Sequence, residues 1–284
     1  MNNETKLKEI VKEKYTEIAN QSKQQNATSC CGATGCCDDD LYNIMSDDYK
    51  VLEGYNPDAD LGLGCGIPTQ FAKMKEGDTI IDLGSGAGND AFIARRFAGA
   101  TGKVIGIDFT ESMIEKARTN AEKMGFNNVE FRLGDIDNMP VTSNKADVIL
   151  SNCVLNLVPN KHKVFSEIFR VLKPGGHFSI SDIVLQGQMP DQLKKAAEMY
   201  AGCVSGAIQK TEYLEIIHEA GFENITVQKE KTITIPDNIL LQYISEKELE
   251  KFKQGNLSIL SVTVFAGKPA KDSRNCCEPE SGCC

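Results

Sequence analysis

The chain has 284 residues, a formal net charge of −9 and 41% apolar residues, and it contains no Trp. The negative charge argues against a nucleic-acid surface, which needs basic patches. No apolar stretch approaches the roughly 20 residues of a membrane span, and the opening MNNETKLKEIVKEKY lacks the uninterrupted apolar run of a signal peptide. We therefore expect a cytoplasmic protein of one or two domains that binds neither nucleic acid nor membrane.

The predicted N-terminal unit, residues 1–70, contains one helix and several cysteine-containing loops. Apolar residues recur at helical spacing among charges over residues 4–20, which predicts an amphipathic helix. Residues 21–40 are polar and rich in Cys, so we expect a mobile loop, and Tyr42–Tyr55 is expected to be a short helical or irregular piece. A glycine-punctuated loop, LGLGCGIPT, then carries Cys65.

The stretch TIIDLGSGAGND combines an apolar strand, a glycine turn and the start of a helix. This order is the first half of a nucleotide-binding βαβ unit, in which glycines let the backbone lie close to a ligand. The G-x-G-x-G spacing differs from the G-x-G-x-x-G of dinucleotide folds, and no Gly-Lys-Ser/Thr of a P-loop follows. Asp82 within the strand favours a ligand with a positive centre over a pyrophosphate. Asp108 ends the next strand, where an acid can accept both ribose hydroxyls of an adenosyl ligand.

Residues 71–185 are predicted to form a doubly wound α/β core that binds this ligand. The alternating pattern predicts five strands, at Thr79–Leu83, Lys103–Asp108, Val129–Leu133, Asp147–Asn152 and His177–Val184, and helices at about Asn89–Phe97, Glu111–Met124 and Lys161–Leu172. The sequence Lys-Pro-Gly-Gly after the last helix is predicted to be a breaker and turn.

Residues 186–268 are predicted to close the sheet. Two helices, Met189–Gly206 and Lys210–Ala220, precede two strands, Glu223–Ile235 and Leu257–Gly267, that are expected to pair as an antiparallel hairpin around an insertion at 237–256. Residues 269–284 are expected to be a flexible, Cys-rich tail.

The glycine turn and its acids resemble the S-adenosylmethionine (SAM) site of class I methyltransferases, which have acids before the glycines, after strand two and after strand three. The resemblance implies a seven-stranded Rossmann-like sheet with SAM as cofactor. Asp82 would lie near the methionine end, Asp108 at the ribose and Asp135 at the adenine amine. The expected cofactor-binding residues are Asp82, Gly84, Gly86, Gly88, Asp108, Asp135, Ile136 (N–H to an adenine nitrogen) and Asn152 (methionyl amine).

Eleven cysteines require an explanation. The odd count and the absence of a signal peptide argue against a disulfide framework, and no C-x₂-C…C-x₂-C spacing indicates a zinc site. Cys153 ends strand four at the ligand-binding edge, and Cys65 and Cys203 lie in segments that can fold over that edge. Small residues flank all three, which favours close approach by a ligand; the alternative is that each is a small buried hydrophobe.

Several segments closely resemble the arsenite methyltransferase family over roughly residues 8–226; they include GLGCGIPT, SNCVLNLVPNK, FRVLKPGG and AGCVSGA. The resemblance implies that Cys65, Cys153 and Cys203 bind As(III). It also implies that an earlier cysteine, either Cys30 or Cys31, joins a redox cycle.

The resemblance thus implies an enzyme that transfers methyl groups from SAM to arsenite and methylarsenite held by thiolates, in arsenic detoxification. A thiol reductant, thioredoxin or glutathione, would be a co-substrate, and we expect a monomer. Soft thiolates suit trivalent arsenic, and its lone pair needs no general base to attack the methyl group, so catalysis should come from positioning. Two alternatives remain: a SAM-dependent methyltransferase of a small organic substrate with structural cysteines, and a non-catalytic metalloid-binding protein.

Overall fold

Seven strands form one mixed sheet in the computed structural model, which describes residues 3–21, 48–187, 206–234, 237–241, 244–255 and 258–270. The strand order is β3-β2-β1-β4-β5-β7-β6; β1 to β5 are parallel, and β7 is antiparallel to both β5 and β6. The strands are β1 Thr79–Leu83, β2 Lys103–Asp108, β3 Val129–Leu133, β4 Ala146–Asn152, β5 Leu172–Gln186, β6 Glu223–Ile233 and β7 Ser258–Gly267.

Helices cover both faces of this sheet. They are α1 Asn3–Asn20, α2 Asn89–Ala98, α3 Glu111–Met124, α4 Lys161–Val171, α5 Lys210–Glu219, α6 Asp237–Leu240 and α7 Glu246–Gln254, with short 3₁₀ turns at Pro68–Gln70 and Leu155–Leu157. Helices α2 and α3 pack with apolar residues of one face of the central strands, and α4 and α5 pack on the other face. No described helix has both the length and the apolar character that a membrane crossing requires.

The predicted doubly wound architecture is confirmed, together with the bounds of β1, β2, β3 and α3 and the β6–β7 hairpin. The predicted helix at Met189–Gly206 lies, except for Gly206, outside the described residues. The same holds for the predicted loop at 22–40, for residues 42–47 and for the tail beyond residue 270. The predicted insertion between β6 and β7 contains α6 and α7.

The turn predicted at Lys-Pro-Gly-Gly is wrong in one respect, because these residues lie inside β5. Leu172 already pairs with Ala146 of β4, and the register then shifts so that His177 pairs with Val148. The residues between them bulge from the strand, and Gly175 adopts φ +81°, which a glycine accommodates without strain. A breaker in sequence is thus a bulge within a longer strand.

The parallel order brings the carboxyl ends of β1, β2 and β4 to one edge of the sheet. Ligands of open α/β sheets bind at this edge, near the point where the strand order reverses. Here the order reverses between β1 and β4, directly beside the glycine turn.

Candidate active site

A cavity of about 410 Å³ opens at the carboxyl ends of β1, β2 and β4. Its volume is within the range of small-molecule sites. Helix α1 contributes Lys8, Val11 and Tyr15 to the wall, and the loop before β1 contributes Gly64. The N-terminal helix and the loop that carries Cys65 therefore both border the same cavity as the glycine turn.

The glycine turn fits a close ligand approach. Gly84 has φ +65°, and a Cβ atom there would lie 2.3 Å from Cγ2 of Val154. Gly88 has φ +102°, and a Cβ atom there would lie 2.7 Å from the ring of Phe92. Side chains are excluded at both positions. Gly84 lines the cavity with bare backbone, whereas Gly88 is not among the lining residues and makes room for core rings, so its contact with the cofactor stays a prediction.

Asp82 lies at the base of the cavity and is 2% exposed. Burial raises the pKa of its carboxyl well above the usual value, and the nearby Asp90 and Asp108 charges raise it further. Its Oδ2 atom has no hydrogen-bond partner among the described residues. A buried acceptor without a partner is costly, and a positively charged ligand would satisfy it. The site therefore fits the cationic cofactor SAM.

Asp108 also lines the cavity, and its carboxylate accepts two backbone hydrogen bonds. Oδ1 accepts from the N–H of Thr110 at 2.8 Å, and Oδ2 accepts from the N–H of Gly86 at 3.0 Å. These bonds fix the carboxylate at the turn, and each oxygen keeps acceptor capacity for a ribose hydroxyl.

Asp135 and Ile136 line the far end of the cavity, as the sequence analysis expected of adenine-contacting residues. The Asp135 carboxylate lies 2.5 Å from Nζ of Lys8, which also lies 2.9 Å from Asp137. The ammonium group of α1 therefore sits where the adenine amine was predicted. Sequence reasoning missed Lys8, since 127 residues separate it from Asp135 and its spacing in α1 marks only a solvated position.

Asn152, predicted to contact the methionyl amine, is already engaged by protein groups. Its Oδ1 accepts from the N–H of Cys65 at 3.0 Å. Its Nδ2 lies 2.6 Å from the Tyr49 hydroxyl, 2.9 Å from the Gly66 carbonyl and 3.2 Å from Oδ2 of Asp90. Asn152 thus ties the Cys65 loop to β4 and to Asp90, and its contact with SAM stays a prediction.

The glycines around Cys65 serve this packing. A Cβ atom on Gly64 would lie 2.6 Å from Nδ2 of Asn152, and one on Gly66 would lie 2.6 Å from Oγ of Ser181. The small residues flanking this cysteine therefore allow close approach to strands of the sheet, and because Gly64 also lines the cavity, the expected close approach of a ligand stays a prediction.

Asp90 and Tyr49 are cavity residues that the sequence analysis did not assign to the site. The Tyr49 hydroxyl lies 3.0 and 3.1 Å from the two carboxylate oxygens of Asp90. Burial raises the pKa of Asp90 to about 6, although hydrogen bonds from Asn152 and Tyr49 oppose the rise. Asp90 lies two residues after Gly88, and its place in the first turn of α2 was the available signal.

Cys65 and Cys153 are both free and buried. Cys153 lines the cavity with φ +61°, and its N–H donates to the Ser181 carbonyl at 2.8 Å. The carbonyl of Cys65 accepts from the Ser261 hydroxyl. The pKa of the Tyr213 phenol is raised chiefly by burial and by the Asp182 charge, and the charges of Cys65 and Cys153 contribute to the rise.

The other predicted thiols, Cys30, Cys31 and Cys203, lie outside the described residues. Within the described part of the chain, no group of three or more His, Cys, Asp or Glu side chains is placed to hold a metal ion. Of the three predicted arsenic ligands, Cys153 lines the cavity, Cys65 lies in the loop that Asn152 holds, and Cys203 is outside the described residues, so their joint binding of arsenic stays a prediction.

A sequence model of methyltransferase domains matches residues 74–221. The arsenite methyltransferase of Halobacterium salinarum is 38% identical over 277 residues, which cover 93% of this chain and 67% of that protein. The chain belongs to the arsenite methyltransferase family. A second arsenite methyltransferase, from Aquipseudomonas alcaligenes, is 29% identical over 84% of this chain and 69% of its own length.

A solved structure agrees with this assignment. The arsenic(III) SAM methyltransferase of Chlamydomonas reinhardtii superposes with a TM-score of 0.62 at 29% identity, covering 72% of this chain and 68% of that one. The predicted class I methyltransferase fold is confirmed, and the chain is a SAM-dependent methyltransferase.

Replacing Asn152 by Ala should loosen the Cys65 loop. The substitution leaves the Cys65 N–H and the Gly66 carbonyl without their amide partner, so we expect a loss of about 1–3 kcal/mol in the free energy of unfolding. The rate of Cys65 alkylation, followed by peptide mass spectrometry, should rise. Asn127→Ala, at an exposed position, is the control, and equal alkylation rates in both variants would contradict the role of Asn152.

Asp90→Asn should stabilise the ligand-free protein at neutral pH. Because the folded pKa of Asp90 is raised from 3.8 to about 6, the unfolded chain ionises first as pH rises, and wild type loses stability between pH 4 and 6. The variant avoids this loss, so its advantage should appear across that window and reach at most about 3 kcal/mol. Urea unfolding from pH 4 to 8 measures it.

The control for this pH series is Glu115→Gln, an exposed carboxylate of α3. An Asp90→Asn advantage that is the same at pH 4 and pH 7 would show that the titration of Asp90 is not its source.

Proposed function

We infer that this chain transfers methyl groups from SAM to arsenite and methylarsenite, with the trivalent arsenic held by cysteine thiolates. The observation that carries this inference is that the buried Cys153 lines the cofactor cavity and that the backbone N–H of the buried Cys65 donates a hydrogen bond to the side chain of Asn152, the residue before Cys153. Membership of the arsenite methyltransferase family supports the same substrate.

The residues of the cavity suit the cofactor. When bound, SAM supplies an electrophilic methyl group on a sulfonium. Asp82 offers an unsatisfied carboxylate oxygen to a positive centre, and Asp108 offers its oxygens to the ribose. Ile136 and Asp135 border the end expected to take adenine.

The thiols hold and orient the nucleophile. Trivalent arsenic is soft and three-coordinate, so Cys65, Cys153 and, we propose, Cys203 would bind it as a pyramid with its lone pair directed away from the sulfurs. Attack by the lone pair on carbon releases no proton from arsenic, so the transfer step needs no general base. Well-aligned intramolecular reactions reach effective molarities of about 10⁵ M or more, which is what such positioning contributes.

Methyl transfer oxidises arsenic by two electrons, and a second methylation needs those electrons back. We propose that Cys65 and a cysteine of the 30–31 pair supply them by forming a disulfide. A cellular dithiol or thiol, such as thioredoxin or glutathione, would then reduce that disulfide.

Single Cys→Ser changes test the arsenic site. We expect Cys65→Ser, Cys153→Ser and Cys203→Ser each to lower arsenite methylation by at least about 100-fold, since each removes one arsenic–sulfur bond. The dissociation constant for SAM should stay within about threefold of wild type. Methylated arsenicals are measured by mass spectrometry after incubation with SAM, arsenite and thiol.

The matched control is Cys284→Ser, at the last residue of the chain and outside the predicted set. If the cysteines were structural and the chain methylated an organic substrate, all four variants would keep most of their methyltransferase activity on that substrate. Absence of any methylated arsenical from wild type under reducing conditions would remove the proposed function altogether.

Peptide mapping tests the redox step. After a single turnover without reductant, we expect a new disulfide between Cys65 and either Cys30 or Cys31. The protein incubated with arsenite but without SAM is the control and should lack it. A turnover that yields methylated product and no disulfide involving Cys65 would exclude this route.

A further inference from the structure

One face of helix α1 forms a wall of the cofactor cavity. Lys8, Val11 and Tyr15 follow one another at helical spacing and all line the cavity, and Val11 is only 1% exposed. At about 1.5 Å per residue, Lys8 and Tyr15 lie roughly 10 Å apart along the helix axis. The helix therefore runs along the cavity instead of bordering it at a single point.

The two ends of α1 are held by different kinds of contact. Near the C-terminal end, Ile18 is buried in an apolar cluster with Met113 of α3. Near the N-terminal end, Nζ of Lys8 lies 2.5 Å from Oδ2 of Asp135 and 2.9 Å from Oδ2 of Asp137, and 30% of the Lys8 side chain is exposed. Partly exposed ion pairs contribute little free energy each and are screened by salt, whereas buried apolar contacts are not screened. The N-terminal half of α1 is therefore the half that can leave the cavity reversibly.

Lys8 keeps its charge in this position. Burial lowers the pKa of its ammonium group, but the hydrogen bonds and charges of Asp135 and Asp137 outweigh burial and raise the pKa above its usual value. The two carboxylates belong to the same loop, two residues apart, so a cation between them also reduces their mutual repulsion. Lys8 thus joins α1 to the loop that follows β3.

Asp135 has the acceptor capacity to bind Lys8 and an adenine amine together. Its Oδ2 atom accepts from Lys8, whereas Oδ1 lies 3.4 Å from the backbone nitrogen of Asp137, which is a long contact. An ionised carboxylate offers about four acceptor positions. Asp135 lines the cavity, and Asp137 is not among the lining residues, so the second anchor of Lys8 lies outside the cofactor site.

We propose that Lys8 is a cofactor-retaining residue, whose ion pairs with Asp135 and Asp137 fasten the N-terminal half of α1 over the adenine end of the cavity. A bound cofactor is then enclosed along α1 and leaves when these ion pairs open. Lys8 acts by positioning α1 and does not touch the transferred methyl group. The proposal concerns the cofactor and not arsenic, so it is independent of the methyl acceptor proposed above.

The dissociation rate of SAM tests this role on the full chain. Radiolabelled SAM is bound and then displaced by an excess of unlabelled S-adenosylhomocysteine. Lys8→Met should raise the dissociation rate and the dissociation constant by roughly 3- to 10-fold, as the loss of two partly exposed ion pairs implies. Lys8→Arg keeps the cation and should stay within about twofold of wild type. Added salt should speed release from wild type more than from Lys8→Met.

Two further variants separate the ion pairs of Lys8 from general effects on α1. Lys12→Met is the matched control, because Lys12 lies one turn further along α1, pairs with Glu111 of α3 at 3.4 Å and is not among the lining residues. It should release SAM at the wild-type rate. Asp137→Asn removes the anchor outside the cavity and should also speed release, but it should add little to Lys8→Met, since both changes break the same contact.

Hydrogen exchange followed by mass spectrometry reports on α1 without any enzymatic turnover. S-Adenosylhomocysteine should slow amide exchange in the N-terminal half of α1 in wild type and in Lys12→Met. The protection should be largely lost in Lys8→Met.

Three results would overturn the proposal. Tighter SAM binding by Lys8→Met would mean that Lys8 competes with adenine for Asp135. Wild-type release from both Lys8→Met and Asp137→Asn would mean that α1 does not retain the cofactor, and equal acceleration by Lys12→Met would assign the effect to α1 in general. None of these measurements uses arsenite, so a failure to methylate arsenite counts only against the proposed function.

Discussion

The site depends on one amide side chain at the end of β4. Asn152 accepts from the backbone of Cys65 and lies within hydrogen-bond distance of Gly66 and Asp90, and Cys153 is its direct neighbour in sequence. One residue of a central strand therefore positions the backbones of both Cys65 and Cys153. Rigid strands position reacting groups more accurately than loops do. The Asn152 side chain anchors the Cys65 loop, 87 residues away in sequence, to the rigid strand β4.

Three buried carboxylates on the cofactor side of the cavity lower the stability of the ligand-free protein. Asp82, Asp90 and Asp108 are all buried, and burial raises the pKa of each. Burying each ionised carboxylate costs free energy, and a cationic ligand offsets that cost. The cavity therefore favours a positively charged ligand. The same charges give no such stabilisation to the neutral thioether that remains after methyl transfer. Conflicts between local stability and function are expected at such sites.

Much of the fold was predictable because its signals are local. The apolar runs of β1, β2 and β3 end at Gly or Asp, and Gly125 ends α3 where the helical pattern stops. The bulge in β5 was not predictable, since only pairing of Leu172 with Ala146 extends the strand through a Pro and two glycines. The Lys8–Asp135 pair and the Asn152 network join segments 127 and 87 residues apart, and no local pattern encodes contacts of that range.

The cavity contributes to methyl transfer through electrostatics rather than through proton transfer. Asp82, Asp90 and Asp108 line the cavity and favour a positive centre, and none of them is needed as a base, because the nucleophile loses no proton in the transfer step.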